Sequence, residues 1–293
     1  MLKFGLPLLP AGLAMWVLNS SDKYFLNHYA GAAEVGIYNV GYKFGGLVTL
    51  VSKAITLATP RFVFSIYEER TNARDYIKKM ITYFYLIMFA GAFLISVFAK
   101  EVTQIFVGSS FQRAYTVIPI IAFSYVADSL FDNFGIGISV TGKTYLSALA
   151  VFISGILNII FNVVLISRFG MMGAAVATFL SFVALALIEL NFSQRVYRIS
   201  IEFKRMLIVL ILGGVLVYIS TLVNLGFLAS FLVISLIAIA FPILLYFLGF
   251  FDEGEIKSLK KIWEIARSSR GKPKVLLDSV RQSLLINETV NSK

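Results

Sequence analysis

Residues 5–46 read GLPLLPAGLAMWVLNSSDKYFLNHYAGAAEVGIYNVGYKFGG, and this stretch decides the fold. It consists of two apolar segments that are joined by a short turn rich in glycine and alanine, and both segments carry charged side chains. A charge at the centre of a bilayer costs about 2.5 to 3.5 kcal/mol on insertion scales, so it normally faces a bundle interior or a water-filled cavity. The stretch therefore predicts a hairpin of two membrane helices that contact something polar.

The composition of the whole chain is that of an integral membrane protein. Of its 293 residues, 58% are hydrophobic and 14% are charged, and the mean hydropathy is +0.84. Ordinary soluble domains contain about 25% charged residues. The chain has no cysteine and a single histidine, His28, which argues against a disulfide framework, a thiolate site and a His-rich metal cluster. We therefore expect no cofactor and no bound metal.

Eight apolar segments are long enough to cross about 30 Å of hydrocarbon, which takes roughly 20 helical residues. All are predicted to be helical, because backbone polar groups in hydrocarbon must pair within their own segment. The predicted helices lie near 6–29, 36–60, 79–99, 115–140, 146–166, 172–192, 206–223 and 227–250. Residues 1–251 are thus expected to form an all-α, polytopic transmembrane helix bundle.

The distribution of lysine and arginine predicts the orientation. Outside the C-terminal tail, eleven basic residues fall on one side of the predicted membrane, and three fall on the other, namely Lys100, Arg113 and Arg168. The positive-inside rule places the side with eleven in the cytoplasm, together with both termini. We expect a multi-pass protein of the inner, or plasma, membrane. Because topology explains most of the net charge of +10, no nucleic-acid partner is required.

The composition changes after Phe251, and residues 252–293 are expected to be cytoplasmic. Ile256, Leu259, Trp263 and Ala266 recur at helical spacing opposite several basic residues. This pattern predicts a basic amphipathic helix on the inner leaflet, in contact with membrane lipids. A solvated tail helix with no particular role is the alternative.

Six of the formal charges inside the predicted spans are the candidate functional residues. They are Asp22, Lys23, Lys43, Lys53, Asp128 and Asp132. If the second predicted helix is continuous, Asn39, Lys43 and Lys53 lie with Gly46 in one stripe along the helix. The reason is that their spacings are close to whole numbers of helical turns. The simpler interpretation is that these groups only form ion pairs with one another inside the bundle.

Asp128 and Asp132 are stacked at positions i and i+4 of the predicted fourth helix. Two carboxylates in a setting of low dielectric do not both stay ionised without cost, so a shared proton or cation is expected there. Asn158 and Asn162 on the fifth predicted helix are interpreted as interhelical hydrogen-bonding residues rather than as ligands.

Nothing in the sequence indicates catalysis. It contains no nucleophile with a base at motif spacing and no glycine-rich phosphate loop, and the longest predicted external loop, 100–114, is too short to house an active site. We therefore expect no catalytic residues and no enzymatic activity.

Several segments together resemble the C-terminal portion of bacterial polysaccharide flippases, the Wzx-type O-antigen and repeat-unit transporters. These belong to the MOP superfamily, which also contains lipid II flippases and MATE exporters. The resemblance extends over about 3–250 and is carried by GLPLLP at 5–10, SSDKYFLNHYAGAAEVGIYNVGYKFG at 20–45, FQRAYTVIPIIAFSYV at 111–126, TGKT at 141–144 and RFGMMGAAVATFLS at 168–181. It implies that the eight helices are the seventh to fourteenth of a fourteen-helix transporter.

The resemblance also implies a function. Family members pair two lobes around a central cavity, so we expect this chain to be one lobe, which works with an N-terminal lobe, with a separate chain or with a copy of itself. The implied activity is transport of undecaprenyl-diphosphate-linked oligosaccharide repeat units across the inner membrane for surface polysaccharide biosynthesis, such as that of O-antigen and lipopolysaccharide. Lys43 and Lys53 are the positions that would hold the pyrophosphate, with Asn39, Lys23 and Asp22 as further substrate contacts.

Two alternatives stay open at this stage. A MATE-like exporter of small cations or drugs would use the carboxylates of Asp22, Asp128 and Asp132 rather than the lysines, and Asp128 and Asp132 are the ion-coupling candidates in either transporter. The other alternative is a membrane enzyme that acts on polyprenyl-linked sugars.

The predicted topology can be tested by cysteine labelling, since the chain has no cysteine of its own. A cysteine introduced at Ser109 should react with an impermeant thiol reagent in intact cells, and one at Ser65 should react only after the membrane is opened. Preferential labelling at Ser65 in intact cells would show that the orientation is the reverse of the predicted one.

Overall fold

The computed structural model describes residues 9–69, 73–252 and 254–256, and within them it contains helices and no strand. The predicted all-α class is confirmed. The helices are α1 (Leu9–Ala30), α2 (Ala32–Gly45), α3 (Val48–Glu69), α4 (Ala73–Val97), α5 (Ala99–Phe106), a 3₁₀ helix (Ser109–Thr116), α6 (Ile118–Phe134), α7 (Ile136–Val140), α8 (Tyr145–Val196), α9 (Phe203–Leu222) and α10 (Phe227–Phe247).

The predicted hairpin at the start of the chain is formed by α1 and α2, which are separated by Gly31 alone. Gly31 has φ of 83°, a left-handed conformation that L side chains rarely adopt. Its N–H donates to the carbonyl of Asn27, and its own carbonyl accepts from the N–H of Val35. One glycine therefore ends the first helix and begins the second.

The continuous helix predicted over 36–60 is interrupted in the structure. α2 ends at Gly45 and α3 begins at Val48, with a turn at Gly46 and Leu47 between them. Two adjacent glycines are poor helix formers, and the Thr49 hydroxyl donates to the carbonyl of Gly46 at 2.7 Å, which stabilises the turn. Lys53 consequently lies on a different helix from Asn39 and Lys43, so the predicted stripe is not continuous.

The chain is also bent at two other places. Residues 118–140 of the predicted segment 115–140 form α6 and the short α7, and a bend of 48° separates them from the preceding 3₁₀ helix. The spans predicted at 146–166 and 172–192 are the two arms of α8, residues 145–169 and 171–196. They are joined at Gly170, whose φ of 53° and ψ of −131° are not helical.

Among the described residues, four helices are long and apolar enough to cross a membrane, and a fifth span results if the 3₁₀ helix and 118–140 are taken together. The four are 74–97 and the helices α8, α9 and α10. Since α8 contains two arms, it accounts for two of the predicted spans. α1 and α3, which carry Asp22, Lys23 and Lys53, are not among them. These apolar helices indicate a multi-pass membrane protein.

The chain divides into two compact units, Met1–Phe241 and Pro242–Lys293. In the first unit, α1 and α6 both pack on α8, α4 packs between α6 and α9, and α2 packs on α6 and the 3₁₀ helix. Small residues let α1 approach α8 closely, since a Cβ atom on Gly155 would lie 3.3 Å from that of Ala14. Of the second unit, the structure describes the end of α10 and a few following residues, so the predicted amphipathic helix lies outside the described residues beyond 256.

The contact between α2 and α6 can be tested with matched glycine substitutions. Gly45 faces Ile121, and an added Cβ would lie 2.8 Å from a side-chain carbon of Ile121 and 3.1 Å from the backbone nitrogen of Ala122. Gly45→Ala should therefore destabilise the purified chain by about 1 to 3 kcal/mol, measured as a lower thermal unfolding midpoint in detergent. Gly91→Ala on α4, where nothing lies within 4 Å, is the control and should cause no loss. Equal midpoints for the two variants would contradict the packing.

Candidate functional site

Asp22 is the charged residue that the structure encloses most completely. Its side chain on α1 has an exposed fraction of 0%. The Tyr38 hydroxyl on α2 donates to Oδ2 at 2.7 Å, and the Thr178 hydroxyl on α8 donates to the same oxygen at 3.3 Å. Oδ1 accepts from the backbone N–H of Lys23 at 2.8 Å. The carboxylate thus connects three helices, and we call Asp22, Tyr38 and Thr178 the Asp22 cluster.

An aromatic row extends from this cluster. The rings of Tyr38 and Tyr42 are 5.2 Å apart in an edge-to-face arrangement, and Tyr42 meets Tyr125 of α6 at 6.0 Å. The Nζ atom of Lys23 lies 4.5 Å from the centroid of the Tyr42 ring, within range of a cation–π interaction. The hydroxyl of Tyr42 is buried and has no hydrogen-bond partner in the described part of the chain. Lys23 therefore interacts with the face of the Tyr42 ring and forms no ion pair with a described residue.

A second polar network joins α1 to both arms of α8. The Ser21 hydroxyl donates to Oδ1 of Asn158 at 2.7 Å, and the Nδ2 atom of Asn158 donates to Ser181 at 3.0 Å. The Nδ2 atom of Asn162 lies 3.0 Å from both Ser21 and Asn158 and donates to them. The interpretation of Asn158 and Asn162 as interhelical hydrogen-bonding residues is confirmed.

The lysines of α2 and α3 are placed differently from Asp22. Lys43 and Lys53 are both exposed, and neither forms an ion pair or a hydrogen bond with the residues that the structure describes. Asn39 is partly buried on α2. The pairing of Lys43 with Asp22, Asp128 or Asp132, which the sequence left open, is therefore not observed in the described part of the chain.

Asp128 and Asp132 lie on α6 and form no hydrogen bond with the Asp22 cluster. Asp128 is half-buried and Asp132 is exposed. Neither forms a hydrogen bond or an ion pair with described residues. The described residues also contain no group of three or more His, Cys, Asp and Glu side chains that could hold a metal ion.

Sequence reasoning missed several residues that the structure brings to these clusters. Tyr38 and Thr178 lie on apolar helices, where a tyrosine or a threonine carries no distinguishing pattern. Glu189 was missed as well, although it is 1% exposed in the second arm of α8 and accepts a hydrogen bond from Ser147 in the first arm. A charge inside an apolar run is a usable signal for Glu189, since such charges are costly in a membrane.

Comparison with known proteins assigns the family. The model of the MatE family matches residues 7–164, which is more than half of the chain. The chain belongs to the MatE family. The matched residues include α1, α2, α6 and the first arm of α8, and therefore Asp22, Tyr38 and the two asparagines.

A curated relative extends this similarity. Over 220 residues the MatE chain is 30% identical to the probable low-salt glycan biosynthesis flippase Agl15 of Haloferax volcanii, an alignment that covers 73% of this chain and 46% of the relative. The chain thus spans about half the length of the relative it matches. No solved structure matches it. The family and the relative point to a MOP-type transporter rather than to an enzyme.

The hydrogen bond from Tyr38 to Asp22 can be tested by removing one oxygen. Tyr38→Phe keeps the ring but takes a donor from a buried carboxylate, which should cost about 1 to 3 kcal/mol of stability. Tyr24→Phe, at a ring that is 73% exposed, is the matched control and should be neutral. Thermal unfolding midpoints of both purified variants in detergent give the comparison, and a Tyr38→Phe protein as stable as the control would show that the bond does not hold the helices.

Proposed function

We propose that this chain is one lobe of a transporter that flips a lipid-linked oligosaccharide across the membrane. The sugar headgroup and its diphosphate bind in a polar cavity that is open to the cytoplasm, the two lobes rock against each other, and the cavity opens to the outside while the lipid tail stays in the bilayer. No covalent chemistry is involved. The relative's name as a glycan biosynthesis flippase supports this substrate class, and undecaprenyl diphosphate is the carrier we propose.

The observation that carries the proposal is the exposure of Lys43 without an ion-pair partner in the described part of the chain. In the proposed lobe, α2 enters the membrane at Ala32. Lys43 lies eleven residues later, about 16 Å along the helix axis, which is close to the middle of a hydrocarbon layer about 30 Å thick. A cation at that depth is costly unless it faces water or an anion. A diphosphate in a cavity is such an anion.

The placement of Asp22 favours an anionic over a cationic substrate. Its carboxylate is enclosed by Tyr38 and Thr178 and offers no surface to a ligand, whereas Lys43 and Lys53 are exposed. In the proposed lobe, Lys43 and Lys53 hold the phosphates, and Lys23 and Asn39 contact the headgroup. Asp22 contributes by positioning α1 and α2 rather than by touching the substrate.

A cation exporter is the second candidate, and one observation favours it. Asp132 is exposed on α6 and has no hydrogen bond or ion pair with described residues, so it is open to a cationic ligand. In the flippase, Asp128 and Asp132 instead take part in ion coupling. The sign of the ligand's charge in a binding assay distinguishes the two: the flippase lobe binds polyprenyl diphosphates, and the exporter binds organic cations.

Lys43 substitutions test the phosphate contact. In a complete two-lobe transporter that replaces the flippase of a deletion strain, Lys43→Arg should keep much of the export, Lys43→Ala should reduce it at least about tenfold, and Lys43→Glu should be worse. Export of the repeat unit to the cell surface is measured at matched membrane protein levels. Lys143→Ala, an exposed lysine in the turn before α8, is the control and should export normally.

Two outcomes would contradict the role of Lys43. Full export by Lys43→Ala would show that it makes no essential contact. Recovery of export when Lys43→Ala is combined with Asp22→Asn, Asp128→Asn or Asp132→Asn would show that Lys43 only neutralises a carboxylate.

A further inference from the structure

A surplus of positive charge lies where α4 and α9 begin. The first two turns of α4, residues 73–79, and the segment 195–205, which ends α8 and begins α9, together contain seven basic and two acidic residues. The two segments are in contact, since Lys78 of α4 forms an ion pair with Glu202, the residue before α9, at 3.3 Å. Arg205 shares the same carboxylate at 3.4 Å. Two cations thus share one acid, and the segments keep an excess of five positive charges.

The segment between α8 and α9 is held in a defined position. Gln194 donates from Nε2 to the carbonyl of Ile199 at 2.6 Å and accepts from the Ile199 N–H at 3.2 Å. Tyr197 packs against α7, where a Cβ atom on Gly137 would lie 3.1 Å from the Cβ atom of Tyr197. The guanidinium of Arg74 lies 5.0 Å from the centroid of the Tyr197 ring, within range of a cation–π interaction. The segment and Arg74 are therefore in place before a ligand arrives, which lowers the entropic cost of binding one.

These cations lie at the ends of two helices that are suited to span a membrane. Residues 74–97 of α4 and the whole of α9 are long and apolar enough to cross one. Arg74 and Lys78 fall in the first two turns of α4, and Lys204 and Arg205 fall in the first turn of α9. The ends of such helices lie at the depth of the lipid headgroups. We call these four residues the basic patch.

An exposed apolar stripe runs along α9 away from the basic patch. Four side chains that recur at the spacing of helical turns are each at least half exposed, namely Phe203, Leu207, Leu210 and Ile211. In a bilayer, such a stripe contacts acyl chains. Because the stripe begins next to Lys204, a lipid whose phosphate lies at the basic patch has its acyl chain against the stripe. A soluble phosphate compound or a nucleic acid would leave the stripe uncovered.

We propose that the basic patch binds the phosphate of an anionic phospholipid and that an acyl chain of this lipid lies along the exposed stripe of α9. Arg74 and Arg205 suit this role, because a guanidinium donates two parallel hydrogen bonds to phosphate oxygens. Basic pockets between membrane helices are a known form of lipid recognition. The bound lipid would connect the start of α4 to the start of α9. This inference does not depend on what the chain transports.

The test uses the purified full chain in a neutral detergent. A ligand that binds the native state raises the unfolding midpoint by mass action, so thermal midpoints are measured with added phosphatidylglycerol, with phosphatidylcholine of the same acyl chains, and with inorganic phosphate. Phosphatidylglycerol should raise the midpoint most, and the zwitterionic lipid should raise it less. Added NaCl should weaken the response to phosphatidylglycerol, because it screens the charges. Inorganic phosphate alone should have no effect, since it lacks the acyl chain.

Neutral variants decide whether the basic patch is the site. Arg74→Gln/Lys204→Gln removes two exposed cations and should need at least about tenfold more phosphatidylglycerol for the same rise in midpoint. Lys204→Gln alone keeps the contact between Arg74 and Tyr197 and should need about fivefold more. The single variant provides the measurement if the double variant does not fold.

A matched double variant controls for the loss of charge. Lys100→Gln/Arg168→Gln also removes two positive charges, but Lys100 lies beyond the other end of α4, and Arg168 lies next to the joint of α8 at Gly170. It should respond to phosphatidylglycerol as the unmodified chain does.

Four results would overturn the proposal. An equal response to the two lipids would show that the charge of the headgroup is not recognised, and an equal rise with inorganic phosphate would indicate a site for soluble anions. An undiminished response in either neutral variant of the basic patch would assign the lipid to another part of the chain. An equal loss in Lys100→Gln/Arg168→Gln would show that only the net charge matters. None of these measurements involves an oligosaccharide, so their outcome is separate from that of the Lys43 experiment.

Discussion

The enclosed carboxylate of Asp22 is the interaction on which the arrangement of the first unit depends. A carboxylate with no exposed surface has to be hydrogen-bonded, because the free energy of an unpaired buried charge is prohibitive. Its donors come from Tyr38 on α2 and Thr178 on α8. If the three helices slid past one another, the buried carboxylate would lose these hydrogen bonds. The Asn158 and Asn162 network beside it joins the same α1 to both arms of α8. Apolar packing alone, between helices that lipid also solvates, would not determine this register.

The charged residues of the described helices fall into three kinds with different surroundings. Asp22 is fully buried, and both of its carboxylate oxygens accept hydrogen bonds. Lys43 and Lys53 are exposed without described partners, as expected of groups that meet a ligand or water. Glu189 is buried, and one of its two carboxylate oxygens accepts a hydrogen bond while the other has no hydrogen-bond partner in the described part of the chain.

The break between α2 and α3 changes how the two lysines can work together. On one straight helix, Lys43 and Lys53 would keep a fixed spacing of about 15 Å, and a phosphate would pass from one to the other along a single stripe. The turn at Gly46 and Leu47 places them on separate helices instead. The two lysines therefore belong to separate helices, and both of these helices pack on α6.

Membrane insertion, the all-helical class, the hairpin at Gly31 and the resemblance to MOP flippases follow from the sequence by itself, because hydropathy, glycine position and charge are properties of short windows. The interpretation of Asn158 and Asn162 as interhelical hydrogen-bonding residues also follows, since an amide in an apolar helix has few other uses. Only the tertiary structure decided what holds Asp22. Its partners lie 16 and 156 residues further along the chain, and nothing local distinguishes Tyr38 or Thr178 from ordinary helix residues. The position of Glu189 against Gly135 likewise depends on which helices pack together, and that is set by contacts distant in sequence.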